Sequence, residues 1–282
     1  SPTPYWVLNQ TDKIGCNINT SVSISPTEQG SVYHNPPVAV VVATEDVHLV
    51  QEAEQLIKKL GDPVPDPEYI IHFGPRGVDI RSATTKNKNG HRVDFATIDR
   101  RTGAGNLSRK QVFPKSIGAP STTVIDATAG FGEDAAMLAL IGYTVVAIEK
   151  SPILSVLLRD GLRRAKQNKE LWTALGGRLV LIEGNSLASL PTVPHVDVVY
   201  LDPMFPPKRK KSALPQGSIQ ILQSIVGYDP PDKTNILFEQ AMQTATKRVV
   251  VKRPNHAPFF SDNPVAVHKG KLVRYEVYKP NT

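Results

Sequence analysis

From Thr122 to the C-terminus, short apolar runs of strand length alternate with segments of helix length, and this alternation constrains the fold more than any other feature. Thr122 to Asp126, Val145 to Ile148, Arg178 to Glu183, Val196 to Leu201 and Arg248 to Val251 are five such runs, rich in β-branched residues. Between them lie helix-length stretches: about Asp134 to Ile141, a segment toward Gln167 that opens on Ser151 as N-cap with Pro152 behind it, and Thr234 to Ala245. Strands that are apolar throughout are buried on both faces, which calls for a parallel sheet wrapped by helices. Val265 to Tyr278 has two strand-like halves about Lys269-Gly270, a hairpin signal that closes the sheet on an antiparallel edge. The expectation is an α/β, doubly wound, mostly parallel sheet over residues 116–282, preceded by a smaller α+β region over 1–115.

That first region is less regular. Val38 to Ala43 reads as a buried strand, and Thr44 as the N-cap of a helix to Leu60 with Glu45 and Asp46 in its first turn and Gly61 at its end. Asp62 to Pro67 is a proline-rich linker; Ile70 to Phe73 and Arg92 to Ile98 read as further strands, and Arg100 to Lys110 as a flexible basic loop. Charge divides along the same lines. Residues 1–80 carry 4 basic and 10 acidic side chains, residues 81–115 carry 9 and 2, and residues 116–282 carry 20 and 14. The net +7 therefore hides an acidic head and a basic middle, with further basic clusters at Lys208-Arg209-Lys210-Lys211, Lys247-Arg248 and Lys252-Arg253. Local positive potential of this kind suits a polyanion, most often a nucleic acid. A single cysteine, Cys16, excludes an internal disulfide framework and a multi-cysteine zinc site, and fits a reducing compartment. The scattered histidines form no metal pattern. No apolar run reaches membrane-spanning length, and the opening Ser1-Pro2-Thr3-Pro4 lacks the form of a signal peptide.

Two motifs carry chemistry. The first is the turn after the first strand of the sheet, Asp126-Ala127-Thr128-Ala129-Gly130-Phe131-Gly132-Glu133-Asp134. Ligands of such sheets sit beyond the carboxyl ends of the strands, and Gly130 and Gly132 allow close backbone approach and positive φ. Glu133 and Asp134 open the following helix, which repels a pyrophosphate and suits a ligand bearing an ammonium. S-adenosylmethionine has an ammonium, a sulfonium and no phosphate. Glu149, ending the second strand, is placed to accept hydrogen bonds from both ribose hydroxyls of an adenosine. Gly184-Asn185-Ser186, ending the third strand, offers polar groups to an adenine edge.

The second motif is Asp202-Pro203-Met204-Phe205-Pro206-Pro207 after the fourth strand. An exocyclic amino group on a base is a poor nucleophile, because its lone pair is delocalised into the ring. The Asp202 carboxylate and the Pro203 carbonyl would take its two N–H groups and aim the lone pair at a methyl carbon. Phe205 would stack on the extruded base, and the prolines would stiffen the loop. The chemistry then needs placed acceptors and no metal.

The loop resembles the Asp/Asn-Pro-Pro-Tyr/Phe loop of amino-directed methyltransferases. Together with Val124 to Asp134, Lys208 to Leu214 and Ala245 to Pro254, in that order, it is similar to the ribosomal RNA small subunit methyltransferase J family, over roughly residues 90–282. The resemblance implies a class I methyltransferase fold with a seven-stranded sheet, S-adenosylmethionine as cofactor, and methylation of a guanine N2 amino group in 16S ribosomal RNA. It implies cofactor contacts at Glu133, Asp134, Glu149, Lys150, Asn185, Ser186 and Asp202, beside Asp126, Gly130 and Gly132 from the turn. Met204 stands where the general loop has its second proline, and Asn185 where the family has a small hydroxyl residue.

The basic segments then become candidate RNA contacts: Lys208, Arg209, Lys210 and Lys211 beside the target base, Arg100, Arg101, Arg109 and Lys110 on a second surface, and Lys252 and Arg253 facing the pocket. The expected partner is small-subunit ribosomal RNA or the small subunit itself, met by a monomer, with no membrane. The family implies a bacterial cytoplasm, while the unmatched N-terminal third leaves a mitochondrial matrix as the alternative. Three competing readings remain at this level: an amino-methyltransferase acting on adenine N6, an RNA-binding assembly factor that keeps the fold without turnover, and a nicotinamide dehydrogenase, which Glu133 and Asp134 disfavour.

Overall fold

The computed structural model describes residues 37–61, 65–84, 90–101, 107–119, 122–204 and 217–280. In chain order these form β1 (Val38–Val42), α1 (Val47–Leu60), β2 (Tyr69–Gly74), β3 (Gly77–Ser82), α2 (Val112–Ile117), β4 (Thr123–Asp126), α3 (Glu133–Ile141), β5 (Thr144–Glu149), α4 (Pro152–Gln167), α5 (Lys169–Leu175), β6 (Leu179–Glu183), α6 (Ser186–Ser189), β7 (Val196–Leu201), α7 (Gly217–Val226), α8 (Pro231–Thr244), β8 (Ala245–Pro254), β9 (Ala266–Lys269) and β10 (Val273–Tyr278). No helix among the described residues is long and apolar enough to cross a membrane.

Two compact units divide these elements, and they cut across chain order. One takes the described residues within 1–93, 152–164 and 207–228; the other takes 94–151, 165–206 and 229–282. The first is built on a three-stranded sheet in which β1 runs parallel to β2, and β2 antiparallel to β3. Helix α1 is capped by Asp46, whose Oδ1 accepts from His48 and Leu49 N–H, rather than by Thr44, whose hydroxyl accepts from Asp46 N–H one step earlier. Most of α4 belongs to this unit. Its Asp160 is fully buried and takes Arg163 Nη2 at 2.6 Å and Arg164 Nε at 2.8 Å. A Cβ on Gly161 would lie 2.7 Å from Val93 Cγ1, so only glycine lets this helix pass so close to the Val93 segment.

The second unit is a seven-stranded sheet in the order β6-β5-β4-β7-β8-β10-β9. The first five strands are parallel to their neighbours, and β10 is antiparallel to both β8 and β9. This is the mostly parallel sheet with an antiparallel edge that the strand–helix alternation requires. Strand β7 explains its own apolar sequence: Val198, Val199, Tyr200 and Leu201 are all buried, alternate residues facing opposite sides. Val199 and Leu201 share one core with Ile125, Ile148, Val249 and Val251 of the neighbouring strands, closed by Leu237, Phe238 and Ala241 of α8. On the other face, Phe113 of α2 lies 4.7 Å from the Tyr200 ring and 4.9 Å from the Tyr275 ring, centroid to centroid.

Two expectations for strand placement fail locally. Arg92 to Ile98 is no strand: Phe95–Thr97 is a 3-10 turn capped by Asp94 Oδ1 on Ala96 N–H, and only His91 bridges to Ile80 of β3. Strand β8 begins at Ala245, directly after α8, and runs to Pro254, so Lys252 and Arg253 are strand residues rather than residues beyond a strand end.

Candidate active site

All the described candidate residues for the cofactor and for Asp202 chemistry lie in the second unit, at the carboxyl ends of β4, β5, β6, β7 and β8. Strand β4 delivers Asp126, and the chain then turns through Gly130 (φ 56°) and Gly132 (φ 74°), which hands directly into α3. Both left-handed glycines are required at these positions, since a side chain at either φ is strained. Glu149 at the end of β5 holds that turn in place. Its Oε2 accepts from Gly130 N–H at 2.8 Å and its Oε1 from Ser151 N–H at 2.8 Å. Asp126 Oδ1 accepts from Thr128 N–H at 3.1 Å.

These two acids form the floor of the site and are only 1% and 4% exposed. Burial pushes the Asp126 carboxyl up to about 8, helped by the negative charges of Asp134, Asp202 and Glu149 and opposed by the Thr128 amide. Burial pushes Glu149 up to about 7 against the pull of the Ser151 and Gly130 amides and of Lys150.

Two further acids form the rim. Asp134, in the first turn of α3, accepts at Oδ2 from the Tyr200 hydroxyl at 2.7 Å and from Lys252 Nζ at 3.1 Å. Asp202 lies just beyond β7; its Oδ2 is 2.9 Å from the same Lys252 Nζ, and its N–H donates to Thr128 Oγ1 at 2.7 Å. Its side chain is 38% exposed, the most open of the four. Burial raises the Asp202 carboxyl and Lys252 draws it back. The Lys252 ammonium, which burial alone would lower, is raised by Asp202 and Asp134.

The loop after Asp202 is clamped from the far side. Asp229 Oδ2 accepts from Met204 N–H, and Asp229 N–H donates to the Met204 carbonyl, each at 3.0 Å. Lys150 Nζ donates to Asp229 Oδ1 at 2.7 Å. Lys150 therefore braces the loop that follows Asp202. Asn185 Oδ1 caps α6 at Leu187 N–H, and Ser186 Oγ donates to the Ala127 carbonyl at 2.6 Å, tying the end of β6 to the Gly turn. Glu133 is exposed and Pro203 buried. Phe205 and Lys208, Arg209, Lys210 and Lys211 lie outside the described residues.

The candidate RNA cations are scattered. Arg100 Nη1 sits 3.1 Å from Glu170, Arg101 pairs with Asp99 while remaining exposed, and Arg109 donates to the Ile141 carbonyl; Lys110 is exposed. Arg253 is buried, donates to the Pro258 carbonyl at 3.0 Å and lies over the Phe260 ring. Lys252 thus faces the acids of the site, while Arg253, on the opposite side of the strand, points into protein; the sequence expectation has both facing the pocket as RNA contacts. Thr128, Tyr200 and Asp229 are site residues that the sequence pattern did not single out. Tyr200 is a polar-tipped residue in an otherwise apolar run, and Asp229 stands before Pro230-Pro231 as Asp202 stands before Pro203, so both carried a signal.

A parallel sheet with an antiparallel edge, two left-handed glycines at a strand end, two acids held by backbone amides and two more sharing one lysine make up the site, and the comparisons with known proteins give its class. Residues 55–280 match the family profile described as "Putative SAM-dependent methyltransferase". The match begins ahead of residue 90, where the sequence resemblance had been placed, and so takes in β2 and β3. A crystal structure of a SAM-dependent methyltransferase from Neisseria gonorrhoeae superposes with a TM-score of 0.61 at 30% identity, covering 86% of this chain and 96% of that one. Ribosomal RNA small subunit methyltransferase J of Aeromonas salmonicida is 36% identical over 245 residues, 84% of this chain and 96% of that protein. The same-named protein of Coxiella burnetii is 38% identical over 248 residues, 83% and 94% of the two chains. The chain belongs to the ribosomal RNA small subunit methyltransferase J family.

Proposed function

We propose that this chain transfers a methyl group from S-adenosylmethionine to the exocyclic N2 amino group of a guanosine in small-subunit ribosomal RNA. The observation that carries this reading is the fixed aim of Asp202. Its N–H is pinned by Thr128 and its carboxylate by Lys252, and Met204 two residues on is held from both sides by Asp229. A loop restrained at each of these points would offer the Asp202 carboxylate, and the Pro203 carbonyl beside it in the chain, as acceptors with little reorganisation, which is how placement lowers a barrier.

The residues present fit the cofactor. Asp134 and Asp202 share a single lysine, and the buried Asp126 and Glu149 beside them can ionise, so an ammonium and a sulfonium would find compensating negative charge here. Glu149 and the Gly130–Gly132 turn would hold the ribose, Asp134 the amino-acid end, and Asn185 and Ser186 the adenine edge. When bound, S-adenosylmethionine supplies the electrophilic methyl carbon. The target nitrogen's lone pair forms the N–C bond, and the bonding pair of the broken C–S bond stays on sulfur. The surplus N–H proton passes to a carboxylate, for which Asp202 is placed. An acceptor-only side chain suits guanine, whose N1–H and N2–H groups lie side by side.

Five exposed cations support an RNA substrate. Arg109 and Lys110 precede α2 and Lys115 lies in its last turn, and Lys269 and Lys271 flank Gly270 at the β9–β10 turn, with no acid in either 107–119 or 265–275. Helix α2 packs on β9 and β10, and a Cβ on Gly270 would lie 3.5 Å from Val112, so the two segments form one surface. We read it, with Arg101 and the Lys208–Lys211 segment, as the footprint for phosphates around the target nucleotide. The region 1–115 would add to that footprint through its basic loop. A monomer suffices, because every proposed pocket residue comes from one unit of one chain, and the cytoplasm fits the bacterial relatives.

The test is to incubate the protein with labelled S-adenosylmethionine and either unmodified small-subunit RNA or assembled subunits, then map the label. Methyl on guanine N2 is the expected result. Label on adenine N6 would move the assignment to that base, and cofactor binding with no transfer to any RNA would leave an assembly factor.

A further inference from the structure

The sequence offers Lys252 as an RNA contact facing the pocket, and the fold commits its ammonium to two carboxylates. Leu201 of β7 pairs with Val251 of β8, which puts Lys252 level with Asp202 on the neighbouring strand. Its side chain is 23% exposed, and its ammonium lies within 3.1 Å of two carboxylates. A lysine held so has little left to offer a phosphate. The groups that face Asp202 are Lys252 from β8, Asp134 from α3, Asp126 from the end of β4, Tyr200 from β7 and Tyr275 from β10. One cation thus stands against three acids and two phenols. Asp134 is steadied independently by the Tyr200 hydroxyl, so the bridge is anchored at its far end to α3.

We propose that Lys252 is a positioning residue for methyl transfer, its ammonium bridging Asp134 to Asp202 so that the Asp202 carboxylate stays ionised and aimed at the target amino group. The assignment rests on the proposed transfer to an exocyclic amine. Such a transfer leaves the nitrogen with one proton to lose, and an acceptor that is already protonated can neither orient the amino group nor take that proton. Asp202 is exposed enough for substrate and enclosed enough that burial disfavours its charge, which Lys252 counters. The sequence signature is an amphipathic strand end: Lys252 and Arg253, adjacent in β8, take opposite faces.

The sign follows from charge. Removing the ammonium raises the Asp202 pKa, so the acid limb of the rate–pH profile moves to higher pH. Removing the charge of Asp134 does the reverse. The experiment compares Lys252→Met, Lys252→Arg and Asp134→Asn with wild type in four measurements: single-turnover transfer at saturating cofactor from pH 5.5 to 9, cofactor affinity by calorimetry, RNA affinity, and the titration of Asp carboxyl carbons by NMR in the ligand-free protein. Lys252→Met is expected to lower the transfer rate at pH 7 by roughly 100-fold and to move the acid limb and the Asp202 titration upward. Raising the pH should restore part of the rate, with RNA affinity unchanged. Lys252→Arg keeps the limb near its wild-type place, and Asp134→Asn moves it down, a shift that survives even if Lys252→Met fails to fold. An unmoved limb and titration in Lys252→Met and Asp134→Asn, or a loss of RNA affinity with the single-turnover rate intact, would overturn the assignment. Absence of transfer to any amine by wild type would instead strike the function proposed above and leave the carboxyl titrations to judge Lys252.

Discussion

The floor and the rim of the site hold two acids each, and they hold them by different means. Asp126 and Glu149 are buried and are met by backbone amides: Thr128 for the first, Gly130 and Ser151 for the second. Asp134 and Asp202 are more open and share one ammonium. Burial pushes the floor acids up and the amide dipoles offset it only in part, leaving them at about 8 and about 7. A full charge at about 3 Å pulls harder on a carboxylate than an amide dipole does, and at Asp202 it counters the burial that disfavours the ionised form. The floor shapes the backbone and can exchange protons with a ligand; the rim is where the proposed chemistry would fall.

The largest expected effect tests the rim. Asp202→Ala should lower single-turnover methyl transfer by roughly 1000-fold, while cofactor affinity stays within a few-fold of wild type. A variant that transfers at the wild-type rate would remove Asp202 from the chemistry and make the two pairs equivalent. Next comes the floor. Glu149→Gln puts an amide N–H₂ against either the Gly130 or the Ser151 N–H, leaving a buried donor unpaired at a cost of roughly 1–3 kcal/mol. Because those donors shape the Gly turn, the loss should appear in cofactor affinity and melting temperature, with the transfer rate at saturation little changed.

The contrast between legible and illegible parts follows the same physics. Strands β4, β5 and β7 were readable because they are covered on both faces, and burial writes apolar runs. Gly130, Gly132, Glu149 and Asp202 were readable because a strand end fixes where the next few residues must point. Arg92 to Ile98 deceived because Val93 and Phe95 are both buried with Asp94 between them, a strand-like alternation that here comes from the residues leading into a 3-10 turn. Strand β3 was overlooked because its Asp79 and Arg81 look like a loop, yet they satisfy each other at 2.7 Å within the unit. Helix α2 was hidden by Pro114, which a first helical turn tolerates. Thr128 acts through a partner 74 residues away, a separation that no local pattern reports.

The third prediction measures the floor acids directly. Their folded pKa values lie above the ordinary carboxylate range, so ionising them opposes folding. The ligand-free protein keeps the full benefit below about pH 4 and loses it as pH rises through about 7 and 8. A cationic ligand favours the ionised floor. S-adenosylmethionine affinity should therefore rise from roughly pH 6 to 8.5, with proton release visible as a buffer-dependent binding enthalpy. S-adenosylhomocysteine, lacking the sulfonium charge, should show a shallower rise. Equal slopes for the two ligands would mean that the floor does not sense the sulfonium.

The smallest effect lies away from both pairs. Lys269 and Lys271 are exposed at the β9–β10 turn, level with Arg253 and Pro254 of β8 and so on the ligand side of the sheet. If phosphates lie along that edge, Lys269→Glu with Lys271→Glu should lower RNA affinity and flatten its salt dependence by roughly 0.7–0.9 in log–log slope for each phosphate that is no longer neutralised. Cofactor affinity should be untouched, because neither side chain bonds to the floor or the rim. The measurement is RNA binding across a salt series with and without S-adenosylmethionine. An unchanged slope would confine the RNA footprint to the segments beside Asp202. A slope that flattened only when cofactor was present would mean that the edge and the four acids are energetically linked, since exposed charges farther apart than a Debye length barely feel each other at physiological salt.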